Sequence, residues 1–433
     1  MRRRIVIGLA ALLALALAGV GVAYVISTDK PDAGLDTVLE GISVETAAED
    51  VETELETTPT TTEESPAKNE DPEEPPERCW TEFGGNPQRT SALPEVKLGP
   101  PARKPLWARG YRDTMEFPPT FCDGVLYANL QKTGRTLAVD AKTGETIWEV
   151  DGNFKASSPA IYGGLLLVSS HDGTVTAFRR RDGKRIWRFA GPGKIESSPV
   201  VVDDVAYFGT TTGRVFAVTA GTGAVRWAYN TGGRINASPS IWGDRVCIST
   251  YAGSVVCLRR SDGSELWTTY IRRDTFRYES FYASPSTDGQ RVYTVARTGK
   301  VVALRASDGS VAWTQHMNSL GYGTPTIAHG RIFVGAYDGL FRSYRASDGM
   351  LLWSTRVPGR IAGPALVVGA LVFFSTYDGR TYGARVGDGR IIWRFKAGAY
   401  APGIATDRMY YMSMGGMLVA YPPRGWRRTD ASG

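Results

Sequence analysis

Apolar residues in most of this chain come in short blocks separated by polar turns. Leu165-Leu166-Leu167-Val168-Ser169, Val205-Ala206-Tyr207-Phe208 and Arg331-Ile332-Phe333-Val334 are brief, β-rich runs bounded by glycine turns. His171-Asp172-Gly173 and Tyr337-Asp338-Gly339 suit tight hairpins, because glycine accepts a positive φ. From residue 79 onward no segment sustains a long apolar period of 3.6 residues, so strands are expected throughout.

The blocks repeat. Trp107, Trp148, Trp187, Trp227, Trp267, Trp313, Trp353 and Trp393 follow one another at intervals of 41, 39, 40, 40, 46, 40 and 40 residues. In phase with them, a small or polar residue precedes proline at Ser158-Pro159, Ser198-Pro199, Ser238-Pro239, Ser284-Pro285 and Thr324-Pro325. Pro118-Pro119, Gly363-Pro364 and Ala401-Pro402 are weaker versions. A turn glycine recurs at Gly134, Gly173, Gly213, Gly253, Gly299, Gly339, Gly379 and Gly416. A period near 40 fits helical pairs or propeller blades, and the strand signal selects blades. Each unit carries four strands: one after the proline, one on each side of the turn glycine, and one bearing the tryptophan.

Eight such units predict an all-β fold, an eight-bladed β-propeller of four-stranded blades over residues 79–426 with a tail at 427–433. If the tryptophan strand comes last in each blade, the eighth blade is one strand short. The strand around Trp107 is predicted to fill that place and close the ring. Four residues after each turn glycine stand Ala138, Ala177, Ala217, Cys257, Ala303, Ser343, Gly383 and Ala420. These small residues are expected to leave room for the tryptophans against the neighbouring sheet, which makes the tryptophans blade-to-blade packing residues.

The pattern changes before residue 79. Arg2-Arg3-Arg4 precede an uncharged run of 22 residues, 5–26. That length spans a bilayer core as one helix and exceeds the apolar core of a signal peptide. Residues 1–26 are therefore expected to be a retained single-pass membrane anchor, with a cleaved signal sequence as the alternative. The arginines place the N-terminus in the cytoplasm and the propeller outside it. Residues 27–78 carry seventeen acidic side chains against three basic ones and include Thr57-Thr58-Pro59-Thr60-Thr61-Thr62 and Glu73-Glu74-Pro75-Pro76. So polar a stretch predicts a disordered acidic linker. With the chain at +6 overall, residues 79–433 hold +17, a charge that attracts anionic partners. The predicted compartment argues against nucleic acid.

Candidate binding residues follow from the face shared by the loops before the prolines and the glycine turns. Those loops carry Lys155, Lys194, Arg234 and Arg360, and the turns carry His171, Tyr251, Tyr337 and Tyr377. One loop is six residues longer than its counterparts and contains Arg272, Arg273, Phe276, Arg277 and Tyr278. Arginines and aromatics together are typical interface anchors, so a partner is expected on this face near that loop. On the opposite face Arg179, Arg259, Arg305, Arg345 and Arg385 replace Asp140 of the first blade, predicting an arc of positive charge or a solvated rim.

The four cysteines allow three pairings. Cys247 and Cys257 lie symmetrically about Ala252 in a predicted hairpin, within disulfide reach if the register is favourable. Cys79 and Cys122 form the other expected pair; four buried thiols are the alternative.

Ala138-Val139-Asp140-Ala141-Lys142-Thr143-Gly144-Glu145-Thr146-Ile147-Trp148 resembles the tryptophan-docking repeat of the pyrroloquinoline-quinone-type propellers. Trp80-Thr81-Glu82-Phe83-Gly84-Gly85-Asn86-Pro87-Gln88-Arg89-Thr90 is similar to the opening segment of that superfamily. The resemblance implies the fold and leaves two kinds of function open. One is a non-enzymatic scaffold similar to the outer-membrane β-barrel assembly lipoprotein, which binds an envelope protein or an anionic polymer. The other is a quinone- and calcium-dependent alcohol or sugar dehydrogenase. Such enzymes pair the quinone with an Asp base, and many carry a disulfide between adjacent cysteines. This chain has no adjacent cysteines and only His171, His316 and His329 as histidines. The expected reading is therefore a scaffold with no catalytic residues, no metal site and no cofactor. The apolar N-terminal run lacks a cysteine for acylation, so the lipoprotein's outer-membrane role is not expected to carry over.

Overall fold

The computed structural model describes residues 43–46, 77–152, 157–398 and 400–426. The predicted membrane segment, most of the acidic linker, Lys155 and the tail lie outside them. Among the described residues no helix is long and apolar enough to cross a membrane.

The strands assemble into eight antiparallel blades around a central channel. Blade 1 runs from channel to rim as Thr120–Cys122, Val125–Asn129, Thr136–Asp140 and Thr146–Val150. Blades 2 to 7 repeat this order over residues 160–190, 200–230, 240–270, 286–316, 326–356 and 366–395. Blade 8 takes Ile404–Ala405, Tyr410–Met414 and Met417–Tyr421 from the end of the chain, and Trp107–Gly110 from near its start. The register runs from Trp107 opposite Ala420 to Gly110 opposite Met417, which joins the two ends as predicted.

The tryptophans pack blade to blade, with the small residues beside them. Ala138, Ala177, Ala217, Cys257, Ala303, Ser343 and Gly383 each lie directly opposite the tryptophan of their own sheet. They relieve crowding across that strand pair, and Ala138, Ala177, Ala217 and Ala303 also lie in apolar clusters shared with the following blade. The indole reaches the next blade along a different path. Trp187 Nε1 donates to the Ala220 carbonyl at 2.9 Å, and its ring covers the turn at Gly223. A Cβ on Gly223 would sit 2.7 Å from that ring, on a backbone with φ of 75°. Trp107, Trp148, Trp227, Trp267, Trp313 and Trp353 make the same donation to the following blade.

Nearer the channel the residues before proline tie blades together. The Ser158 amide donates to Ser198 Oγ at 3.0 Å, Ser198 to Ser238 at 2.8 Å, and Ser238 to Ser284 at 2.9 Å. This repeat marker is thus a belt of inter-blade hydrogen bonds.

Two strands lie outside the four-strand scheme. Ala92–Leu93 runs parallel to the innermost strand of blade 7. Ser43–Thr46, four residues of the stretch expected to be disordered, pairs with the outer strand of blade 2. Alternation of β-formers in Ser-Val-Glu-Thr suits such an edge.

The arginines of the opposite face form no free arc of charge. Arg179, Arg259, Arg345 and Arg385 each pair with the Asp three residues on, at 2.6, 3.2, 2.9 and 3.8 Å. Arg305 donates to Ser310. Where Asp140 caps its turn by accepting from the amides of Lys142 and Thr143, blades 2, 4, 6 and 7 use an Arg–Asp clamp across the same turn.

Candidate interaction site at the channel mouth

Several blades send residues to one end of the channel, from a turn or from the loop before the proline. Two positions before the turn glycines stand Tyr251, Arg297, Tyr337 and Tyr377. Three positions before the prolines stand Glu116, Tyr282 and Tyr322, and Tyr400 precedes Ala401-Pro402. With Phe117 they line a cavity of about 340 Å³. The rings form a chain: Tyr251–Tyr282 at 6.3 Å, Tyr282–Tyr322 at 6.0 Å, Tyr322–Tyr337 at 5.1 Å and Tyr337–Tyr377 at 6.4 Å. Guanidinium groups cover their faces: Arg234 lies 5.2 Å from the Tyr251 ring, Arg297 5.8 Å from Tyr322 and Arg360 5.6 Å from Tyr337. Burial pushes the phenols of Tyr251, Tyr282, Tyr337, Tyr377 and Tyr400 upward, so they remain protonated hydrogen-bond donors.

Tyr251, Tyr337, Tyr377, Arg234 and Arg360 thus meet at this end of the channel. The long loop stands beside the cavity. Arg272 bridges to Tyr278, Arg277 pairs with Asp274 at 2.6 Å, and Phe276 projects with 92% of its surface exposed. Arg272 also lies 5.3 Å from the Tyr278 ring. The loop rests on the blade 4 turn, where Gly253 leaves room for Tyr278. Glu116, Tyr282, Tyr322, Tyr400 and Arg297 were not among the predicted site residues. The offset from the turn glycine marks Arg297 and that from the proline marks Glu116, Tyr282 and Tyr322, while Tyr400 stands one place closer to its proline.

The opening segment forms the floor. Trp80 exchanges backbone hydrogen bonds with Phe121 of blade 1 at 2.7 and 2.9 Å. The carbonyls of Thr81, Pro87, Gln88, Thr90 and Ser91 then accept from the innermost strands of blades 2, 4, 5, 6 and 7. The Glu82 carboxylate accepts from the Val201 amide of blade 3. One segment therefore crosses the channel and touches seven blades. Phe83 packs edge-on against Phe117 at 6.2 Å, and Phe117 meets Tyr400 at 5.4 Å, which links this floor to the cavity.

Arg89 anchors the floor. It is fully buried at φ 60° and donates to the carbonyls of Phe83, Pro239 and Ser198. Burial lowers its pKa to about 10, with Glu82 opposing the shift. Burial raises Glu82 to about 7, against the Arg89 charge and the Val201 amide. An acid whose pKa is raised in the fold stabilises it while protonated and loses that contribution as pH rises through about 7. The protein is expected to lose about 2–3 kcal/mol between pH 5 and pH 8 from this group. Glu82→Gln, which mimics the protonated form, should flatten that loss in urea denaturation at the two pH values. An unchanged difference would contradict it.

Both expected disulfides are formed. Cys247 and Cys257 are directly opposed on neighbouring strands of blade 4, and Cys79–Cys122 fastens the opening segment to blade 1.

Eight four-stranded blades, tryptophans docked on the next blade and an opening segment across the channel define a pyrroloquinoline-quinone-type repeat propeller. The chain belongs to the family described as outer membrane protein assembly factor BamB, whose model matches residues 96–315, 261–393 and 339–429. A curated BamB of Nitrosomonas eutropha is 32% identical over 98 residues; the match covers 22% of this chain and about a quarter, 24%, of that protein. The crystal structure of BamB from Moraxella catarrhalis aligns with a TM-score of 0.61 at 16% identity, over 74% of this chain and 99% of that one. A europium-containing methanol dehydrogenase aligns with a TM-score of 0.68 at 12% identity, over 79% and 98%. At these identities the two structures share the fold alone.

A calcium-held quinone requires several oxygen ligands converging at one point. At the mouth Glu116 accepts from Gln131 at 2.7 Å and from Tyr377 at 3.4 Å. Glu196 is engaged by Arg234 at 3.5 Å, by His171 at 3.8 Å and by Asn236. Among the described residues, the one group of His, Cys, Asp or Glu close enough to share a metal is Cys79, Cys122 and Asp123, and its two sulfurs form a disulfide. Both mouth carboxylates are thus already held by side chains of this chain.

Proposed function

We propose that this protein is a membrane-anchored propeller, displayed outside the cytoplasm, that serves as a binding scaffold for another protein of the cell envelope. The observation that carries the reading is the mouth itself: six tyrosines and three arginines gathered over a closed channel, with Phe276 exposed beside them. Tyr and Arg are the residues that most often anchor protein interfaces. Buried, protonated phenols supply hydrogen bonds but no base, and the two mouth carboxylates are already engaged. Membership of the BamB family supports a scaffold over an enzyme, and the +17 of residues 79–433 favours a partner or polymer with negative charge. The apolar run 5–26 and its arginines support the anchored topology. The test is photo-cross-linking in intact cells from a photoreactive phenylalanine at position 337 or 276. A discrete protein adduct is expected.

A further inference from the structure

We propose that the cleft between blades 6 and 7 binds a phosphate monoester that carries an apolar group. The site shares no lining residue with the mouth and does not depend on it.

The cleft has a volume of about 610 Å³, within the range of roughly 300–1,000 Å³ usual for small-ligand sites. Arg356, from the last strand of blade 6, lines it together with Arg380, Arg394 and Lys396 of blade 7. Among the described residues no carboxylate lines it, and Arg380, Arg394 and Lys396 form no ion pair. Val357, Ile391 and Phe395 add an apolar wall. The Trp353 indole donates to the Val386 carbonyl at 2.9 Å and Thr355 Oγ1 to that of Gly389 at 2.7 Å, which fixes the two blades against each other.

The counterpart between blades 1 and 2 is built differently. Asp151 stands there at the position of Arg356, three residues past the tryptophan. Arg188, the counterpart of Arg394, is met by Asp172 at 3.5 Å. In blade 7 the counterpart of Asp172 is Asp378, which accepts from the Arg360 amide at 2.9 Å. The first cleft supplies its own counter-ions, and the second does not.

Tyr382 points independently to a ligand. It lines the cleft, is 4% exposed, and its hydroxyl is buried without a hydrogen-bond partner among the described residues. Buried polar groups are normally satisfied. Arg394 lies directly opposite Tyr382 on the neighbouring strand, which puts phenol and guanidinium on one face of the sheet. A phosphate monoester carries about −1.5 to −2 charge near pH 7 and three terminal oxygens. It can accept from guanidinium forks and the phenol together, where a carboxylate offers less charge and fewer oxygens.

The test is calorimetric titration of the full chain with phenyl phosphate. Binding is expected, and benzoate should bind at least about tenfold more weakly. Tyr382→Phe should weaken phenyl phosphate about tenfold without lowering the denaturation midpoint, because the hydroxyl has no partner to lose. Arg394→Glu combined with Lys396→Glu should abolish binding, and Arg345→Ala on the opposite face should leave it unchanged. Dihexanoyl phosphatidic acid separates the sources: tighter binding than phenyl phosphate identifies a lipid headgroup, and weaker binding a soluble ester. No binding of phenyl phosphate, equal affinity for benzoate, or undiminished affinity in Tyr382→Phe would overturn the proposal. None of these outcomes bears on cross-linking at the mouth, so the scaffold reading is decided separately.

Discussion

Arg89→Met is expected to lower stability by about 3–5 kcal/mol, although the position lies before the first blade. Methionine fills much of the same volume but donates nothing. The carbonyls of Phe83, Pro239 and Ser198 would then be buried without their partner, and Glu82 would lose its only opposing charge in the core. Each stranded acceptor costs about 1–3 kcal/mol, and relaxation of the segment recovers part of the sum. Arg89→Lys should recover little, because one ammonium group cannot serve three carbonyls in a fixed fork. Denaturation midpoints compared with the unaltered protein give the value. A loss below about 1 kcal/mol would mean that the opening segment only lines the channel, and does not hold the blades.

Trp187→Ala should cost a similar amount, about 3–5 kcal/mol, for a different reason. Trp187 is fully buried, donates to Ala220 and packs on the Gly223 turn, so its loss opens a cavity between blades 2 and 3. Nothing nearby collapses easily into that space, since Ala177 lies opposite it and Phe189 and Phe208 are already in edge-to-face contact at 5.1 Å. Trp353→Ala should cost less, because that ring is only partly buried. The same denaturation series reads both. Equal losses at the two positions would contradict packing as the source of the effect.

The blades were legible in the sequence because each is built from local signals that recur in phase. Ser198, Gly213 and Trp227 mark one blade as Ser238, Gly253 and Trp267 mark the next. The closure was legible by counting strands. The mouth was legible in part. Charge along the loops pointed to Arg234 and Arg360, but the residues that enter the cavity, such as Glu116 and Tyr322, sit at another offset from the proline. Arg89 was hidden for a physical reason. A lone arginine in a polar segment normally faces water, and two of its carbonyl partners lie 109 and 150 residues away. The arginines of the opposite face carried their answer locally, because the Asp that neutralises Arg345 stands three residues on.

The scaffold reading is tested most directly by comparing photo-cross-linking in cells from the two faces of the propeller. A photoreactive phenylalanine at position 337 samples the mouth, and one at position 348 samples the Arg–Asp turn on the far side. Reproducible adducts to one envelope protein from 337, with none from 348, are the predicted result. Adducts from 348 alone, or none from either position, would contradict a mouth-binding scaffold.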